Sequence, residues 1–257
     1  MNRYLHGCTV LVVACSLLAV QQGAHAQTWL SDTFTDDTVG HASNGPEIGS
    51  VYHACTAGAS CDKYSVVSIG GNNMLYVNGE AGGLGLQWFL AGGGEGMGTV
   101  GYRFTPMPGG TVVGGNAFNL QLTAPGVTEV LMIGEDIGSS LSLSYVSYAS
   151  GLGSTTELLP VKLQRGQEIF VQWDFDTVSD TLNLSLDGQL LRQTSFAGGL
   201  DAIISTSVVS NYATTASWLI DDVLATAVPE PASAALLLTG LVTIAARRRF
   251  RAGSETV

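Results

Sequence analysis

The sequence predicts an all-β fold, an antiparallel sandwich, across residues 27–227. Three observations carry this. Short runs of residues alternate apolar and polar, the period of a half-buried strand. Gly, Asn, Asp and Pro separate the runs, with 33 glycines in 257 residues. No segment of the central body sustains the apolar spacing of a helix. The clearest run sets Ile169, Val171, Trp173 and Phe175 on one face and Glu168, Gln172, Asp174 and Asp176 on the other. A turn at 177–180 follows, and Leu182, Leu184 and Leu186 then alternate with Thr181, Asn183 and Ser185. Asp187-Gly188 is a two-residue hairpin signal leading into 189–196. Similar runs fall at 63–69, 74–78, 84–90, 99–105, 117–123, 129–134, 141–148, 203–209 and 217–223. About a dozen strands with turns between them suit a sandwich rather than an α/β fold. The predicted core is Phe34, Ile169, Val171, Trp173, Phe175, Leu182, Leu184, Leu186, Trp218 and Ile220.

Three stretches add a resemblance. The opening Asp32-Thr33-Phe34-Thr35-Asp36-Asp37-Thr38-Val39-Gly40 resembles the first strand of concanavalin A-like or laminin-G-like jelly rolls. The segment from Arg165 through Trp173-Asp174-Phe175-Asp176 to Gly188 is similar to later strands of such folds. Ser217-Trp218-Leu219-Ile220-Asp221-Asp222-Val223 resembles the final strand, which in that family pairs near the first.

Both termini carry targeting features. Arg3, the apolar run 8–20 and Ala24-His25-Ala26 form a signal peptide over 1–26, with cleavage after Ala26. Cys8 lies too early, without a Leu-rich box before it, for a lipoprotein acceptor. At the other end, Val228-Pro229-Glu230-Pro231 precedes an uncharged apolar stretch at 232–246. The prolines bar a helix from extending back into the body. At about 1.5 Å per residue, about 15 residues cover about 22 Å, short of a hydrocarbon core of about 30 Å. Arg247, Arg248, Arg249 and Arg251 follow, marking a cytoplasmic side, and 252–257 form a short tail. The order of these parts over 228–251 resembles the PEP-CTERM protein-sorting signal of Gram-negative bacteria. That resemblance implies a protein held in the inner membrane until an exosortase-type enzyme processes it at the Pro-Glu-Pro box, then sorted to the cell surface or extracellular matrix. A plain single-span anchor is the simpler alternative.

The charge balance excludes some partners. The chain has 21 acidic and 10 basic residues. Arg3, the four tail arginines, Glu230 and Glu255 lie in the terminal segments, leaving 5 basic against 19 acidic residues, a net −14. Such a body repels nucleic acid and anionic lipid and suits neutral glycans or cations. Cys55 and Cys61 are its only cysteines, and their spacing fits a small disulfide loop in an oxidising compartment. Zinc would need more ligands than His41 and His53 add, and free thiols are the remaining alternative.

Few motifs point to catalysis. Gly96-Met97-Gly98-Thr99-Val100-Gly101 matches the dinucleotide fingerprint by letters but leads into a strand, so it reads as a glycine-rich loop. Glycoside hydrolysis needs two carboxyls on one strand face, and the Glu-x-Asp-x-x-Glu pattern of jelly-roll glucanases is missing. Glu135-Asp136 point to opposite faces if extended; Asp174 and Asp176 share a face beside a turn and read as solvated or turn-capping. Asp36-Asp37, Asp174, Asp176, Asp180 and Asp221-Asp222 offer oxygen ligands for a structural calcium, with a solvated acidic rim as the plainer reading. No other cofactor is implied. Of the aromatics that could stack on sugars, Trp88, Trp173 and Trp218 read as core, leaving Tyr145, Tyr148 and Tyr212, with 91–98 as the edge of any groove. The expectation is an exported, non-enzymatic protein that contacts glycan, such as exopolysaccharide, or has a structural role. A divergent jelly-roll glycoside hydrolase is the alternative.

Overall fold

A computed structural model describes residues 26–52, 61–79, 85–112, 117–137, 140–149, 153–197, 199–210 and 215–228. Among them fifteen strands form two antiparallel sheets, all within one compact unit, Thr28–Ala227. The strands are β1 (Thr28–Asp32), β2 (Ser50–Tyr52), β3 (Tyr64–Ile69), β4 (Asn72–Val77), β5 (Gly85–Gly94), β6 (Met97–Pro106), β7 (Phe118–Ala124) and β8 (Val127–Ile137). They continue as β9 (Ser140–Ala149), β10 (Gly153–Gln164), β11 (Ile169–Asp176), β12 (Thr181–Leu186), β13 (Gln189–Ser195), β14 (Ile203–Ser210) and β15 (Trp218–Ala227). One sheet runs β13-β12-β11-β6-β15-β4-β3, with β1 also paired to β15; the other runs β10-β9-β8-β7-β14-β5-β2.

The alternation read from the sequence is the alternation of burial. Along β11 every odd position from Ile169 to Phe175 is buried and every even one is half-buried. Asp187 and Gly188 turn at φ 48° and 77°, the two positive values that a type I′ hairpin requires and that Asp-Gly tolerates. All ten predicted core residues are buried. The sheets meet through aromatic contacts: Trp218 of β15 stacks on Phe118 of β7 at 4.7 Å, and Phe104 of β6 lies 5.4 Å from Phe118.

Three expectations need correction. The first strand is Thr28–Asp32 rather than 32–40; Phe34 turns the chain at φ 56°, which drives its ring into the core and ends the extended run. As the family resemblance implied, β1 does pair with the last strand, with Asp32 opposite Val223. Residues 91–98 are not a free loop, because 91–94 end β5 and Met97 opens β6. Their turn is pinned: Gly96 N–H donates to Thr177 Oγ1 (2.8 Å) and Thr177 N–H to Gly96 O (2.9 Å). Strands β2 and β10 were not foreseen.

Cys61 is disulfide-bonded. Cys55, Tyr212, residues 1–25 and the Pro-Glu-Pro segment with everything after it lie outside the described residues. Of the predicted terminal signals, only Ala26 and Val228 are described, both exposed and outside the strands.

Candidate functional site

The residues of the dinucleotide-like motif serve packing. A side chain at Gly98 would meet the rings of Phe175 and Trp29, each at 2.5 Å, and one at Gly101 would meet the ring of Phe170 at 2.8 Å. Gly98 and Gly101 leave room for these ring atoms against β6, and the motif opens a strand rather than a helix, so it offers no helix N-terminus to a phosphate.

The acidic residues named as catalytic or calcium candidates are mostly occupied. Asp176 accepts from Val178 N, Ser179 N and Ser179 Oγ, which close the following turn and hold its carboxyl below the usual carboxylate range. Asp174 accepts from Gln172 Nε2 at 2.6 Å. Asp180 Oδ1 accepts from Leu200 N, Asp221 Oδ2 from Asn72 Nδ2, and Asp222 pairs with Arg103, which also pairs with Glu168. Asp37 is buried and accepts from Asn44 N through Oδ1. Among the described residues no group of three or more His, Cys, Asp or Glu side chains could hold a metal ion. Glu135 and Asp136 lie at the end of β8, where the pairing with β9 shifts register.

Trp88, Trp173, Trp218 and Tyr145 are buried, so none is a surface stacking platform. Tyr148 differs, being 46% exposed. It points away from the core on the outer face of the β10–β2 sheet, because its neighbours Ser147 and Ala149 pair with Glu129 and Val127 of the inner face.

Register aligns this outer face into rows. Tyr148 lies opposite Thr128, Thr128 opposite Thr123, Thr123 opposite Ser205, and Ser205 opposite Phe89. Five strands thus contribute one transverse line in which two aromatic rings bracket three hydroxyls. Phe89 is 37% exposed. At about 4.8 Å per strand, the line is about 19 Å long. The next row reads Val146, Val130, Gln121, Ser207, Gln87 and Tyr52, and Tyr52 is 67% exposed. Gln87 Nε2 donates to Ser205 Oγ across the two rows (2.8 Å), and Ser207 Oγ donates to Gln121 Oε1 (3.3 Å). In the third row Asn119 lies between Met132 and Val209, and its Oδ1 is buried with no hydrogen-bond partner. Ser205 is fully buried and Ser207 and Asn119 are buried as well, so what the face presents is the half-buried Thr128, Thr123, Gln121 and Gln87 with the exposed rings of Tyr148, Phe89 and Tyr52. The described strand residues that face outward here include no carboxylate.

No family model matches the chain, and no curated protein matches it. Solved structures are similar to it. The CBM2 module of the evolved Dit protein of Lactobacillus casei phage J-1 superposes with a TM-score of 0.50 at 11% identity, over 80% of this chain and 97% of that one. Domain 4 of AbnA, an extracellular GH43 arabinanase of Geobacillus stearothermophilus solved with arabinotriose, gives 0.49 at 12% identity over 83% and 98%. The carbohydrate recognition domain of Emp46p in its metal-free form gives 0.40 at 10% identity over 68% and 86%. At 11% identity the likeness to the phage module is one of fold alone.

Proposed function

We propose that the protein is an exported glycan-binding protein that holds a neutral polysaccharide chain on the outer face of its β10–β2 sheet. The observation that carries this is the row Tyr148-Thr128-Thr123-Ser205-Phe89. Sugar rings have an apolar face that stacks on aromatic side chains and equatorial hydroxyls that bond to hydroxyls and amides. The exposed rings of Tyr148 and Phe89, the half-buried Thr128 and Thr123 hydroxyls between them and Gln87 of the adjoining row offer both kinds of contact. The net −14 of the body favours a neutral ligand over an anionic one. The fold likeness to a phage CBM2 module agrees with a binding role.

The delivery route in this proposal follows the termini. Cleavage after Ala26 exports the chain, and 228–251 act as a PEP-CTERM-like signal that an exosortase-type enzyme processes at Pro229-Glu230-Pro231. Exopolysaccharide at the cell surface is then the glycan within reach, and the contact needs no cofactor. The glycoside hydrolase alternative is disfavoured by the outer face, where no pair of carboxylates spaced for hydrolysis stands among the described residues.

A glycan-array screen of the full chain tests this reading. Binding should concentrate on neutral polysaccharides and oligosaccharides of several rings. Binding confined to nucleic acid or anionic lipid would overturn it.

A further inference from the structure

At the Pro125-Gly126 end of the sandwich, the two sheets enclose a second feature, a cleft of about 370 Å³. Val127, Ser147 and Ala149 line it from β8 and β9, Thr155 from β10, and Thr194 and Phe196 from the β13 side of the other sheet. Along β8 and β9 these residues alternate with Thr128 and Tyr148 of the outer face, so the cleft lies on the opposite side of the same strand ends.

Its polar groups are built in. Ser147 Oγ donates to Oε1 of Glu129 at 2.6 Å. Glu129 is 1% exposed and inward-facing, and its Oε2 is buried with no hydrogen-bond partner. Burial raises the Glu129 carboxyl above the usual range, against the hydroxyls of Ser147 and Tyr145 and the charge of Arg192. The Tyr145 hydroxyl shares a hydrogen bond with Thr194 Oγ1 (3.3 Å). The Arg192 guanidinium pairs with Glu157 and lies 5.6 Å from the centre of the Tyr145 ring. The cation is thus taken up beside the cleft, whose own wall is hydroxyls, small apolar groups and the Phe196 ring. At about 30 Å³ per water, the space equals roughly a dozen waters, more than enough for one sugar ring.

We propose that this cleft is a second binding site, for a single neutral sugar ring. Its apolar face lies against Phe196 and its hydroxyls meet Ser147 and Thr194. Glu129 is a positioning residue: by accepting the Ser147 hydrogen bond it fixes the Ser147 hydroxyl in the cleft wall with its lone pairs free to accept from the ligand. The site is separate from the outer-face platform and does not require it.

Saturation-transfer NMR tests it, using the full chain in a zwitterionic detergent without sugar headgroups. Glucose, galactose, mannose, arabinose and N-acetylglucosamine are offered one at a time, with glucuronate as the anionic arm. At least one neutral monosaccharide should give a signal that weakens about tenfold in Ser147→Ala. The signal should vanish in Thr155→Trp, which plugs the cleft from an exposed edge position. It should persist in the Phe89→Ala/Tyr148→Ala double variant. Ser195→Trp blocks the same cleft from the other sheet and replaces Thr155→Trp if circular dichroism shows that variant unfolded. No signal from any neutral sugar, a signal from glucuronate alone, or a signal that survives the plug overturns the proposal. Loss in the outer-face variant with retention in the plugged one also overturns it, by moving the sugar to the outer face.

Discussion

Trp88 donates its indole Nε1–H to Oδ2 of Asp32 at 2.7 Å, joining a side chain of β5 in one sheet to the end of β1 in the other. Both residues are buried, so the bond fixes how one flank of the sandwich closes. Burial pushes the Asp32 carboxyl up to about 7; the Trp88 bond opposes this and the charges of Asp37 and Glu47 add to it.

That relationship makes stability depend on pH. Below about pH 4 the carboxyl is protonated in folded and unfolded chains alike, and no penalty arises. Between pH 4 and 7 it ionises in the unfolded chain but stays neutral in the folded one, so its contribution favours unfolding increasingly as pH rises. The full penalty, on the order of 4 kcal/mol for about three units, is reached above pH 7. Asp32→Asn keeps an acceptor for Trp88 and removes the titration. Urea titrations at pH 4.5 and 7.5 should show the variant gaining stability relative to the parent at the higher pH. Equal differences at both values would contradict the assignment.

Gly98 offers a second test. An added methyl would sit 2.5 Å from ring atoms of both Phe175 and Trp29 and 2.8 Å from Thr226 O. Gly98→Ala should therefore cost about 1–3 kcal/mol by overpacking, seen as a lowered melting temperature. Added NAD should leave the melting of the parent chain unchanged. Protection by NAD would restore a nucleotide role to the motif.

The inter-sheet aromatic contact should be among the costliest to remove. Trp218 is fully buried and stacks on both Phe118 and Phe104. Trp218→Ala should lose about 3–5 kcal/mol through the cavity it leaves, measured by denaturant unfolding. A loss under about 1 kcal/mol would mean that the sheets are held elsewhere.

On the proposed delivery route, the C-terminal segment should be separable into anchor and recognition box. Replacing Pro229-Glu230-Pro231 with three alanines should leave membrane retention intact and block processing, read by fractionation and intact mass. Replacing Arg247, Arg248, Arg249 and Arg251 with Gln should weaken retention, because the arginines resist translocation. A triple-alanine chain processed as the parent would make the tail an ordinary anchor.

The sandwich was legible because one face of each strand packs on the core and the sequence repeats that fact every second residue, most plainly from Ile169 to Phe175. Where that pressure is weak, the pattern fades. Strand β10 is a sheet edge exposed at most positions and interrupted by Pro160, so little in its sequence marks it. Strand β2 is three residues long and owes its conformation to pairing with β5. Phe34 looked like a strand residue because it is apolar and buried, but its positive φ makes it a turn residue. The candidate site was the least legible part. Thr123, Thr128 and Tyr148 adjoin through pairing of the consecutive strands β7, β8 and β9, but Ser205 and Phe89 join their row only because β14 inserts between β5 and β7. Tyr148 could be named from its place in an alternating run, but not the row it belongs to.

The central claim is that this row holds a glycan, and its most direct test is the affinity of the outer face for the best neutral oligosaccharide from the array. Isothermal titration should show Phe89→Ala and Tyr148→Ala each weakening binding about five- to tenfold, as expected for about 1–1.5 kcal/mol per aromatic contact. The double variant should lose more than either single one, with melting temperatures near that of the parent because both rings are solvent-exposed. Undiminished affinity in the folded double variant would contradict the claim.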